Sequence, residues 1–175
     1  MSVSPPAEVT VATPASAAPS VVTPDVARAP NVVFIELLGN GLVYSVNYER
    51  LLSGGSIGLR AGVSFFTYAV SNASGSGNLT LATFPFVASY YYGTVHHKLQ
   101  LGLGATVLAL SASSDSTGAK YEGSGAGLGV AATAVIGYRY VRPAGGFTFG
   151  AGFTPLLRPS KGLLPWGGLS AGYSF

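Results

Sequence analysis

The feature that most constrains this chain is a period of two. In its last ten residues Gly167, Leu169, Ala171, Tyr173 and Phe175 fall on one side, and Trp166, Gly168, Ser170, Gly172 and Ser174 on the other. Successive strand side chains point to opposite faces, so this pattern gives one apolar face and one small or polar face. Leu99, Leu101, Leu103, Ala105 and Val107 repeat it against Gln100, Gly102, Gly104 and Thr106. Ile57, Leu59, Ala61, Val63 and Phe65 do so against Gly58, Arg60, Gly62, Ser64 and Phe66.

Turn chemistry divides residues 31–175 into eight such segments. They are read as Asn31 to Leu38, Leu42 to Leu52, Ile57 to Val70, Leu79 to Tyr92, Lys98 to Ser111, Ala126 to Val141, Phe147 to Leu157 and Pro165 to Phe175. The breaks are rich in Gly, Asn, Ser and Pro, the residues that punctuate strands. Gly39-Asn40-Gly41 is a tight hairpin signal. The connections after the second, fourth and sixth segments are short, whereas Ser71 to Asn78 and Ala112 to Gly125 read as longer polar loops. Arg158 to Leu164 reads as the last loop. Short turns on one side and long loops on the other are the habit of outer-membrane barrels, and an even strand number puts both termini on the periplasmic side.

Composition selects the solvent. Charged residues make up 9 % of the 175 and hydrophobic residues 48 %, against roughly 25 % charged in an average soluble domain. Mean hydropathy is +0.44. A membrane helix needs about 20 consecutive apolar residues, and none is present. The most apolar stretches carry Gly102, Gly104, Gly127, Gly129 and Gly137, each costly inside a helix. A barrel strand crosses a membrane with about 9 to 11 residues and one apolar face. The expectation is an all-β, eight-stranded antiparallel up-and-down transmembrane β-barrel over residues 31–175. It is preceded by residues 1–30, which hold six of the eleven prolines and three charges. That composition is expected to be a disordered periplasmic tail. No signal peptide follows Met1, so a leader is expected to have been removed. The net charge of +3 is scattered, without a Lys or Arg run, which gives no support to a nucleic-acid partner. Zero cysteines exclude thiolate metal sites and disulfides.

The alternation points Glu36, Glu49, Arg60 and Arg139 inward, with Asn47, Ser64, Gln100, Thr106, Thr133 and Thr148. Eight strands enclose an interior that side chains just fill, and charges in such a place must be paired. The four are therefore read as an interior ion-pair network, in preference to a catalytic carboxylate or proton path. Tyr44, Tyr48, Tyr90, Tyr92, Tyr138, Tyr140, Phe147, Phe149, Tyr173 and Phe175 cluster near segment ends, most of them as an interfacial girdle at the periplasmic rim.

Candidates for chemistry are few. A lipid-modifying enzyme would need a nucleophile and base at the rim, yet the two histidines, His96 and His97, fall in a short turn with no neighbouring acid to orient them. Two adjacent histidines alone supply too few ligands for a metal. Asp115, Lys120 and Glu122 are read as solvated loop charges. No catalytic, metal or cofactor site is expected. The remaining rivals are a narrow channel and a soluble ligand-binding barrel.

Several segments resemble a widespread, largely uncharacterised family of bacterial outer-membrane β-barrel proteins common in Bacteroidetes-like and related diderm bacteria. They are Glu36 to Gly41, Tyr44 to Arg50, His97 to Gly104, Gly137 to Tyr140, Gly152 to Leu156 and Leu164 to Phe175. The resemblance implies a location and a fold without an activity. The terminal aromatics Tyr173 and Phe175 also resemble the signal read by the barrel-assembly machinery. The expected role is a non-enzymatic structural or interaction scaffold in the outer membrane. Its partners would be outer-membrane lipid and lipopolysaccharide, the assembly machinery during biogenesis, and a protein met at the outer loops or the tail.

Overall fold

The computed structural model describes Met1 and residues 29–72, 75–116, 122–158 and 162–175. The expected tail (residues 2–28) and Lys120 lie outside the described residues. Ten strand segments form: β1 (Asn31–Leu38), β2 (Tyr44–Leu52), β3 (Ile57–Asn72), β4 (Gly75–Gly93), β5 (His97–Ser116), β6 (Glu122–Tyr140), β7 (Gly146–Phe153), β8 (Leu156–Arg158), β9 (Gly162–Leu164) and β10 (Gly167–Ser174). Every pairing is antiparallel, and the order β5-β4-β3-β2-β1-β10-β7-β6 is closed by β5 with β6. β1 and β10 are both short and meet through seven residue pairs, from Val32 with Ser174 to Leu38 with Gly168. Asn31 and Phe175 exchange backbone hydrogen bonds of 3.0 and 2.8 Å and finish that seam.

The ten segments make eight staves. β7 and β8 keep one register against β6, since Phe153 faces Ile136 and Leu156 faces Thr133. β9 and β10 likewise keep one register against them, with Leu164 opposite Leu156 and Gly167 opposite Phe153. The gaps fall where Pro155 and Pro165 occupy the intervening rung. Neither can donate a ladder hydrogen bond, so the ladder is interrupted there while the strand path continues. Thr154 N bonds to Trp166 O at 2.7 Å and Ala134 N to Pro155 O at 3.2 Å, which holds the interruption in place.

Outward positions are apolar and exposed, among them Ile35, Leu59, Phe86, Leu101, Ile136, Phe149 and Leu169. Inward positions are small or polar and buried, including Asn47, Ser64, Thr106, Thr133 and Thr148. Tyr173 and Phe175 both face outward. A rim cluster stacks Tyr140 on Phe149 with centroids 5.1 Å apart, and sets His97 edge-on to Tyr140 at 5.6 Å. Tyr44 is apart from this rim; it lies next to the β1–β2 turn, where its hydroxyl donates to Phe65 O.

The two expected long loops are largely ladder. β3 and β4 continue through Ser71 opposite Ser76 to Asn72 opposite Gly75, and β5 and β6 through Ala112 opposite Gly125 to Asp115 opposite Glu122. β8 and β9 do the same in the expected loop from Arg158 to Leu164. Polar Ser and Asn fit a strand where solvent reaches both faces, and cross-strand pairing overrides their weak strand preference. β5 has 20 residues, about 66 Å of strand at the usual rise, where roughly ten cross a membrane. β2 pairs with β3 only as far as Val63. β6 meets β7 and β8 only from Ala132 to Tyr140. Beyond those points β3, β4, β5 and β6 form an open four-stranded sheet that projects from the barrel, with no ladder partner on the outer side of β3 or β6 among the described residues. Amides of Leu79 and Ser111, inside this sheet, are expected to exchange with solvent at least about tenfold more slowly than unpaired turn amides such as Ala144. Uniformly fast exchange across Ser71 to Asn78 and Ala112 to Gly125 in a hydrogen-exchange experiment would restore the loop reading.

Candidate functional site: the charged, plugged interior

β1 directs Val32, Phe34 and Glu36 inward, β2 Ser45, Asn47 and Glu49, β3 Arg60, β4 Tyr91, and β6 Arg139, all buried. Glu36 accepts from both terminal nitrogens of Arg60, Nη1 to Oε1 and Nη2 to Oε2, each at 3.2 Å. This fork geometry is the strong form of a guanidinium–carboxylate pair. Glu49 is paired with Arg139 and also accepts from the Tyr91 hydroxyl at 2.6 Å. The same hydroxyl accepts from Arg139 Nη1 at 2.7 Å, so the three groups form a closed triangle. Phe34 is the element that couples the two pairs. Its ring centroid lies 4.4 Å from the Arg139 guanidinium carbon and 5.5 Å from that of Arg60, within cation–π range of both.

The four charges that alternation pointed inward thus meet as two pairs with an aromatic ring between them. The structure adds two partners not singled out from sequence, Phe34 and Tyr91. Tyr91 sits between outward Tyr90 and Tyr92, and its odd place in the alternation was the available signal. Phe34 offered none beyond inward parity, because only the fold brings β1, β3 and β6 around one ring.

The second component is the Gly39–Gly41 turn. An Asn-Gly hairpin signal predicts an exposed two-residue turn, whereas all three residues here are buried and Asn40 is 0 % exposed. The turn folds back into the barrel and plugs it. Asn40 N donates to Glu36 Oε2 at 3.1 Å, so the plug rests on the first ion pair. Side chains from distant strands donate to its carbonyls: Thr106 to Asn40 O at 2.9 Å, Thr83 to Gly41 O at 3.1 Å, and Trp166 Nε1 to Leu42 O at 3.2 Å. Val43 N bonds to Gly41 O at 3.2 Å across Leu42, whose φ of 74° and ψ of −74° describe a strained γ-turn. Leu38 also has positive φ, 61°. These side-chain donors oppose a backbone cost of order 1–3 kcal/mol per strained residue, to which the unpaired, buried Nδ2 and Oδ1 of Asn40 add. Gly168 permits the arrangement: a Cβ there would sit 2.7 Å from Gly39 Cα.

Beside the ion pairs the cavities are small. One cavity of ≈ 20 Å³ lies among Phe34, Arg60, Gln100, Arg139 and Thr154, and another of ≈ 10 Å³ beside Glu49 and Tyr91. The first has room for about one water molecule. Among the described residues the ion pairs and the plug lie across the lumen. No group of three or more metal-ligating side chains occurs among the described residues. His97 Nδ1 lies 2.6 Å from the Tyr138 hydroxyl at the rim, and His96 stacks on Tyr140; no carboxylate is paired with either among the described residues. Asp115 and Glu122 are backbone register partners in the β5–β6 ladder.

No family model and no curated protein matches the chain. Solved structures do. The N-terminal β-barrel domain of Pseudomonas aeruginosa OprF aligns over 85 % of this chain and 99 % of its own, with a TM-score of 0.55 at 18 % identity. Ail, the attachment invasion locus protein of Yersinia pestis, aligns over 83 % of this chain and 96 % of its own in its complex with the heparin analogue sucrose octasulfate, with a TM-score of 0.51 at 11 % identity. The chain shares the closed eight-stranded barrel fold of these outer-membrane proteins.

Replacing Arg139 with Met strands Glu49 in the interior and is expected to cost about 3–5 kcal/mol in denaturant unfolding. Adding Glu49→Gln should recover part of that loss, because the uncompensated charge is gone. Gly168→Val should displace the plug and give a destabilised barrel by the same measurement. An unperturbed Gly168→Val would show that the turn does not occupy the lumen.

Proposed function

We propose that this chain is a small integral protein of a bacterial outer membrane, non-enzymatic, serving as a structural or interaction scaffold. The observation that carries the reading is the inversion of the usual soluble pattern: a closed ring of strands with apolar side chains outside and paired charges inside. Only a hydrocarbon surround favours that distribution. The fold shared with OprF and Ail barrels supports it. Residues 31–175 act as the membrane barrel and residues 1–30 as a periplasmic tail. Both termini belong to the periplasmic side. The short strands leave little to display outside, so the contact surface is the projecting sheet of β3, β4, β5 and β6, in place of the polar loops. Its edges on β3 and β6, which have no ladder partner among the described residues, suit an extended segment of a protein partner. Lipid and lipopolysaccharide cover the apolar belt, and the assembly machinery reads Tyr173 and Phe175.

Four measurements test this. The folded barrel in detergent should run at a different gel mobility before and after boiling, and planar bilayers should show no steady conductance. A stable conductance would replace the scaffold with a channel. Leu103→Arg, on the apolar belt opposite Ala88 and Ala134 and farther from the rim tyrosines, should cost about 2–4 kcal/mol for folding into lipid vesicles; a neutral effect would take the belt out of the membrane. Deleting Phe175 should reduce assembly into the outer membrane without reducing synthesis, and normal insertion would remove the terminal aromatic from the assembly signal.

A further inference from the structure

The projecting sheet reverses the sidedness of the barrel. Phe66, Leu81 and Leu110 share one rung and Tyr68, Leu79 and Ala112 the next, all on the parity that faces the lumen lower down, where Ser64, Thr83 and Thr106 are buried. The opposite parity, apolar within the barrel, here carries Thr67, Thr80 and Ser111. The inner face of the sheet is therefore apolar, and Phe66, Tyr68, Leu79 and Leu110 are 36–58 % exposed on it. Next to Leu110 this face ends at the β6 edge in Gly127 and Gly129, where an added Cβ would meet nothing nearer than Leu108 Cδ1 at 4.0 Å. Leu128 and Val130, on the outward side of the same edge, are 84 % and 58 % exposed. No side chain rises at the glycines, and β6 has no ladder partner on this side beyond Ala132 among the described residues. Apolar surface thus runs without a break from the outward belt at Leu128 round to Leu110. The strands lead into residues 117–121 at Ser116 and Glu122, about 20 Å along β5 from Leu110, which is farther than a five-residue connection that must also return can reach. Ala29 is bonded to Pro143 O at the opposite end of the barrel, with the ion pairs and the plug in between.

We propose that this face is a lipid site, at which an acyl chain from the outer leaflet of the surrounding membrane bends round the β6 edge at Gly127 and lies against Leu110, Leu81 and Phe66. The site rests on the outer-membrane reading above and goes beyond it, because it brings lipid to the lumenal parity of the sheet. Height permits the contact. From Leu99 at the aromatic rim to Leu110 is about 36 Å of strand, or about 28 Å of height at a tilt of roughly 40°, against an apolar band of about 25 Å. Leu110 therefore stands at the outer border of that band. Area selects a chain over a protein. Four strands about 4.8 Å apart and the rise from Leu108 to Ala112 give a face of roughly 19 by 14 Å, well under the ≈ 800 Å² that a stable interface buries on each partner. A second copy in the same membrane is excluded sterically, because each inner face looks toward its own barrel axis and packing two of them about 10 Å apart would drive one barrel into the other. The driving force is the apolar surface of the sheet, which water would otherwise wet, while the chain exchanges one apolar surround for another. The β3 edge and the far end of β6 stay open to a protein segment.

The full chain with isotope-labelled leucine methyls is placed in phosphatidylcholine nanodiscs, since detergent would coat any apolar surface, and nuclear Overhauser effects from the lipid chain methylenes to those methyls are read. Leu103 and Leu128 on the belt should show them, and Leu81 and Leu110 on the inner face should show them too. Gly127→Leu, which the open space at that edge accommodates, should remove the effect at Leu110 and leave that at Leu103 unchanged. Lipid effects at Leu103 with only water contacts at Leu81 and Leu110 would overturn the site and leave the membrane reading standing. Their absence at Leu103 as well would defeat both. A lipid effect at Leu110 that survives Gly127→Leu, or methyl-to-methyl effects at this face between a labelled and an unlabelled copy mixed in the same discs, would also overturn the site.

Discussion

A backbone amide left unpaired in hydrocarbon costs several kcal/mol, and no helix among the described residues is long and apolar enough to cross a membrane. A chain of short alternating strands meets this constraint by bending its sheet until the first and last staves pair. The β1–β10 seam, finished by Asn31 and Phe175, does that work. Closure then dictates the remainder. Each stave must turn one face to the surround and one to a narrow lumen, and the single rung occupied by Pro155 and Pro165 is tolerable because neighbouring amides and carbonyls find other partners.

The lumen of eight staves is too narrow to be a pore unless its side chains leave it empty, and here they do not. Glu36 with Arg60, and Glu49 with Arg139 and Tyr91, meet around Phe34, while the Gly39–Gly41 turn rests on Glu36 and is gripped by Thr83, Thr106 and Trp166. The plug and the ion pairs are one hydrogen-bonded system, since Glu36 serves both. The space left for an outside molecule lies at the ends of the barrel, where β3, β4, β5 and β6 project as an open sheet.

The eight segments and the two faces could be read from the chain because strand alternation is a local property, and each lipid-scale segment carries it independently. The reading stopped where the constraint stopped. Ser71 to Asn78 and Ala112 to Gly125 look like loops because their Ser, Gly and Asn no longer alternate with apolar residues, yet β3 through β6 continue there by pairing alone. Gly39-Asn40-Gly41 has the composition of an exposed hairpin turn, and its burial depends on Thr106 and Trp166, respectively 66 and 126 residues from Asn40 by their numbering.

The sequence by itself determined the strand class, the stave count, the outward apolar belt, and the inward placement of Glu36, Glu49, Arg60 and Arg139. Tertiary structure alone decided which acid meets which base, that Phe34 lies between the arginines, that the first turn becomes a plug, and that two hairpins rise into an open sheet. The physical reason is range. Side-chain direction follows from the backbone of one strand, whereas pairing across a lumen requires the stagger of the whole closed ring.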